Sequence, residues 1–166
     1  MNYSDVIRDF TMRTRKNLEF IEKHQADGED VFEVTQLVNS MLGLLVFPEQ
    51  HYFSRIPEIP LSELEQNGWP KISVTKDIQL SPDFHPCHTL KDLIRYLRNA
   101  ISHFNLRFLT GSNEEITGLR VWNINDRLPQ RPKTWEAELS LADLKAITLR
   151  FTELLENNNS GERAHG

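Results

Sequence analysis

An arginine and a histidine stand five residues apart in the segment Leu97-Arg98-Asn99-Ala100-Ile101-Ser102-His103-Phe104. Histidine titrates near neutrality and can pass a proton in either direction. Arginine stays charged and presents a planar fork of donors that matches a phosphate. Together they can activate a ribose 2′-hydroxyl and stabilise the charge that builds on the adjacent phosphate. That chemistry calls for no metal and no other cofactor. The flanking residues favour an anionic target: between Thr89 and Phe108, Lys91, Arg95, Arg98 and Arg107 stand against Asp92 alone, a net of +3. The whole chain carries −5, which argues against coating nucleic acid by bulk attraction. A local basic patch on an acidic body suits a single phosphate better than an extended track. Arg98, His103 and Asn99 are the candidate catalytic residues, and Lys91, Arg95, Ser102 and Arg107 the candidate substrate contacts.

A helix must position this pair. Thr89 with Asp92 reads as a capping box that uses Asp in place of the commoner Glu or Gln, and Leu90, Leu93, Ile94, Leu97, Ala100, Ile101 and Phe104 follow at helical spacing. Five steps at about 100° set Arg98 and His103 roughly 140° apart around the axis, flanking the apolar stripe on opposite sides. One straight helix does not aim both at one phosphate. A bend at the helix end would help; a two-fold partner supplying a second copy of each residue is the arrangement we favour. The competing reading is a solvated helix face with a terminal histidine that complements the helix dipole.

Around this helix, apolar spacing predicts a first helix from Ser4 to about His24 and a second from about Asp30 to Val46, joined through Asp27-Gly28. The run from Met41 to Phe47 reads as core, and Pro48 stops the second helix. Pro48 to Pro86 holds six of the eight prolines and reads as an irregular excursion. One helical turn is expected near Leu61–Gln66, and a short strand at Lys71–Thr75. After the motif helix, Asn105–Thr110 and Ile116–Ile124 read as a hairpin, and Trp135–Leu139 alternates as a further strand. Ser140 caps a last helix carrying Leu141, Leu144, Ile147, Phe151, Leu154 and Leu155. The expected fold is mainly α: a four-helix bundle with a small antiparallel hairpin or sheet between its third and fourth core helices. One domain over 1–156 and a disordered tail over 157–166 complete the expectation.

Length and composition agree with an ordinary globular domain: 166 residues, 39% hydrophobic and 26% charged. No apolar run approaches the roughly 20 residues of a membrane helix, and no secretion signal opens the chain. Cys87 is the only cysteine, so a reducing, cytoplasmic setting is expected. His85, Cys87 and His88 lie close in sequence, but a structural zinc site takes two spaced pairs of ligands and no second pair appears; a loop with a buried thiol is expected instead. Trp122 and Trp135 could stack on bases, though packing a sheet against helices is the commoner use.

Arg98-Asn99-Ala100-Ile101-Ser102-His103 resembles the R-x4-6-H motif of HEPN domains, including the polar residue that follows the arginine. Together with Leu-Val-Asn-Ser-Met-Leu-Gly-Leu-Leu-Val-Phe-Pro-Glu at 37–49, the hairpin and the last helix, it resembles a plasmid-encoded HEPN-like subfamily across residues 4–156. The resemblance implies a metal-independent RNA endonuclease whose two motif helices meet at a homodimer interface, similar to toxins and anti-phage effectors. Carried over, Arg98 would hold the phosphate, His103 would act as acid or base, and Asn99 would orient or bind. An antitoxin or regulatory protein is a further implied partner, and a non-catalytic HEPN module binding RNA, a nucleotide or a protein is the alternative. Some HEPN toxins carry a tyrosine two residues after the histidine, where a nucleotidyltransferase partner modifies them. Here Asn105 stands in that place, so this route of control is not implied.

Overall fold

A computed structural model describes residues 3–46, 53, 56–77, 86–113 and 115–160, with the side chains of 3–8, 42, 46 and 155–160 left aside. Five helices and four strands follow in the order α1 (Tyr3–Ala26), α2 (Glu33–Val46), α3 (Leu61–Gln66), β1 (Ser73–Asp77), α4 (Leu90–Ser102), β2 (Leu106–Thr110), β3 (Ile116–Ile124), β4 (Lys133–Ser140) and α5 (Leu141–Ser160). They form two compact units, residues 1–48 with 145–166, and residues 49–144.

The first unit is helical. Leu18 of α1, Leu37, Met41, Leu44 and Leu45 of α2, and Ile147 and Phe151 of α5 are buried. The apolar run beginning at Met41 is thus core, although Phe47 at its end lies outside the described residues. Gly43 allows a close approach here, because a Cβ at this position would lie 2.8 Å from the Phe10 ring. Lys145 pairs with Glu22 across α5 and α1.

The second unit is built on an antiparallel sheet of order β1-β4-β3-β2. Val121 pairs with Leu106 on one side and Ala137 on the other, and Ala137 with Val74, so these residues share a face. Leu119, Val121, Trp135, Ala137 and Leu139 of that face are fully buried. On the opposite face, the Arg120–Glu138 and Lys133–Glu136 ion pairs lie among half-buried side chains, and the Lys133 ammonium sits 4.4 Å from the centre of the Trp122 ring. Both tryptophans are therefore packed: Trp135 in the core, and Trp122 under a lysine.

The fold is not the mainly α four-helix bundle that the sequence led us to expect. The strand signal near residue 71 belongs to β1, which pairs with β4 and turns an accessory hairpin into a four-stranded sheet. Burying one whole face of that sheet takes a helix, and α4 supplies it. Tyr96 packs on Trp135 with ring centres 5.4 Å apart, and the buried Asn123 side chain donates to the Tyr96 carbonyl at 3.0 Å. The motif helix thus lies on a sheet, and helix and sheet share one core. No helix among the described residues is long and apolar enough to cross a membrane.

Candidate active site

The start of α4 is fixed by its own sequence. The Thr89 hydroxyl accepts the Asp92 N–H at 3.2 Å, and the Asp92 carboxylate accepts the Thr89 N–H at 3.0 Å, the reciprocal capping box. A neighbouring segment clips the same turn, since the Leu90 N–H donates to the Ile59 carbonyl and the Leu61 N–H to the His88 carbonyl, both at 2.8 Å. Leu90, Leu93, Ile94, Tyr96, Leu97, Ala100 and Ile101 are buried, which fixes the rotation of the helix and turns its remaining positions outward.

Arg98 is half-buried, and its Nε and Nη2 donate to the Asn99 side-chain oxygen at 3.1 and 2.6 Å. Burial lowers the guanidinium's pKa from its ordinary value, yet an arginine remains protonated in water near neutrality. The Arg98 and Arg95 guanidinium carbons lie 5.9 and 5.6 Å from the centre of one ring, that of Phe53. His103 follows the last helical residue as C-cap, with its side chain exposed and its N–H donating to the Asn99 carbonyl at 3.1 Å. The next residue, Phe104, adopts φ 55°, and its ring is 77% exposed. The Phe104 N–H donates to the Ile101 carbonyl and the Asn105 N–H to the Ala100 carbonyl at 2.7 Å, closing the helix in the manner usually given to glycine. Asn105 is held on both sides, because its carbonyl also accepts the Trp122 N–H.

The sequence-derived candidates divide into groups. Lys91, Arg95, Arg98 and Ser102 follow one another at spacings of four, three and four, so they share one side of α4, with Asn99 beside Arg98. His103 lies away from that stripe, and neither it nor Arg98 is sealed in the core. Arg107 stands apart: in β2 it pairs with Arg120, on the sheet face opposite the one that α4 covers. Sequence reasoning missed Phe53, which backs two arginines, and Glu58, which pairs with Lys91 at 2.9 Å. Nothing local in the sequence ties either residue to α4, whereas the spacing of the basic stripe was there to be read.

Cys87 is buried, and its thiol is pushed up to about 12, first by burial and then by the nearby Asp92 and Asp77 carboxylates. Among the described residues no group of three or more His, Cys, Asp or Glu could hold a metal ion; His51 and His85 lie outside them.

The family model described as HEPN pEK499 p136 matches residues 1–162. No curated protein and no solved structure matches the chain. With nearly its whole length matched, this chain belongs to the plasmid-encoded HEPN family described as pEK499 p136.

Proposed function

We propose that the protein is a metal-independent endoribonuclease working as a homodimer through α4, with a toxin, stress or phage-defence role. The observation that carries this reading is the Arg98 fork braced on Asn99 at one end of a helix whose C-cap is an exposed histidine. Family membership supports it. In the proposed step, one His103 removes the proton of a ribose 2′-hydroxyl and the oxygen attacks the neighbouring phosphorus. The 5′-oxygen departs with a proton from the second, protonated His103. The products are a 2′,3′-cyclic phosphate and a 5′-hydroxyl. Arg98 holds the phosphate and offsets the charge that grows on it. The angular separation of Arg98 and His103 on one helix is the reason for invoking two chains. An antitoxin or regulatory protein would act by covering this shared cleft.

Purified protein should cleave single-stranded RNA in excess EDTA and leave cyclic phosphate ends, while His103→Ala folds normally and cleaves nothing. Equal cleavage by that variant would sink the assignment. If the wild type binds RNA without cutting it and Arg98→Ala weakens that binding, the protein is instead a non-catalytic HEPN module.

A further inference from the structure

The side of α4 that carries Arg98 continues toward the start of the helix. Lys91, Arg95, Arg98 and Ser102 fall within about 60° of one another around the axis, and the three cations spread along about 10 Å of it. Arg95 is exposed, and among the described residues no carboxylate pairs with it; its guanidinium rests on the Phe53 ring that also backs Arg98. At its far end the stripe opens into a cleft of about 460 Å³ lined by Glu58, Pro86, His88, Lys91 and Arg95 among others. The Asp92 carboxylate at the cleft is engaged in the capping box. Among the described residues Glu58 pairs only with Lys91, at 2.9 Å, and its side chain is 70% exposed.

We infer that this stripe and cleft form a subsite for the phosphates flanking the bond held at Arg98, so that the ligand is a single-stranded oligonucleotide several residues long. The inference rests on the nuclease reading for the role of Arg98 and extends the site well beyond it. The length of the stripe accommodates about two or three successive phosphates, more than the single phosphate suggested by the charge count. Arg95 contacts one of them, with its guanidinium backed by the Phe53 ring. Lys91 contacts the next after leaving Glu58, so the Glu58 carboxylate competes with the incoming phosphate and weakens binding in the resting protein.

The test uses a 2′-O-methyl RNA ten-mer, which binds but cannot undergo 2′-hydroxyl attack, with affinity followed by fluorescence anisotropy across a salt series. Arg95→Gln should weaken binding about tenfold and lower the slope of log affinity against log salt by about 0.7, one single-strand phosphate contact. Glu58→Gln should tighten binding severalfold, because it frees Lys91 and removes a like charge from the ligand's path. Unchanged affinity and slope in both variants would overturn the subsite, as would a wild type that does not bind the ten-mer. Cleavage of ordinary RNA in EDTA, read in parallel, keeps the two proposals apart. Cleavage with no effect of either variant removes the subsite alone, whereas variant-sensitive binding without cleavage removes the nuclease alone.

Discussion

Phe104 invites a paired substitution whose expected order runs against habit. A non-glycine residue in the left-handed region costs about 1–2 kcal/mol, and Phe104 sits there at φ 55°. Its ring is 77% exposed, so the burial it loses on truncation is only about a quarter of the 1.5–3 kcal/mol of a fully buried phenylalanine, roughly 0.3–0.7 kcal/mol. Phe104→Ala removes the ring and keeps the strain, and should destabilise by about that amount. Phe104→Gly removes ring and strain together, while the extra freedom of glycine in the unfolded chain takes back about 0.5–1 kcal/mol. The glycine variant should therefore be the more stable of the two by about 0.5–1 kcal/mol, a Tm difference of roughly 1–4 °C for a chain of this length. Urea denaturation of both variants and the wild type reads this, followed over a series of chain concentrations so that any contribution from dimerisation is separated from the helix closure. An alanine variant as stable as the glycine variant, or more so, would refute the left-handed closure of α4.

Two further outcomes test the surroundings of the site. With its pKa raised from 9.0 to about 12, the Cys87 thiol should carry on the order of a thousandfold less thiolate near neutrality. Iodoacetamide should label it slowly in native protein and fast in urea, and rapid native labelling would contradict its burial. The Lys133 ammonium, and to a lesser extent the Thr75 hydroxyl, lower the Glu136 pKa below the usual carboxylate value. The unfolded chain then binds this proton more readily, so the stabilisation is complete above about pH 5 and fades as pH falls through the folded value. Glu136→Gln should lower the urea midpoint at pH 7, and by less at pH 3; a deficit that does not change with pH would show that this pair does not couple folding to acid.

What the sequence disclosed was local. The Thr89–Asp92 box, the turn at Leu61–Gln66, the β2–β3 hairpin and the Ser140 cap, whose hydroxyl accepts the Asp143 N–H at 3.1 Å, are each decided by residues within a few positions of one another. The closing of the sheet was not legible. Val74 meets Ala137 across more than sixty intervening residues, and a five-residue strand with one polar face gives no sign of its partner. That one pairing changes the architecture from a bundle to a helix on a sheet. For the site, Arg98, Asn99 and His103 were visible as a motif on a well-marked helix. Phe53 and Glu58 were not, because they reach α4 from a proline-rich stretch whose course depends on tertiary contacts such as the Leu90–Ile59 and Leu61–His88 hydrogen bonds. The paired arginines of Arg107 and Arg120 show the converse: proximity in sequence placed Arg107 with the motif, and strand alternation turned it to the other face.

Seven positions of α4 are buried, and the positions that carry Lys91, Arg95, Arg98 and Ser102 are none of them. The two sets interleave along thirteen residues without sharing a member. Exchanging an outward residue therefore leaves the interior contacts intact, and repacking the interior leaves the charge pattern in place. The charge pattern of this helix is therefore free to drift under selection, or to be rewritten by design at Lys91 and Arg95, without first finding a compensating change in the fold.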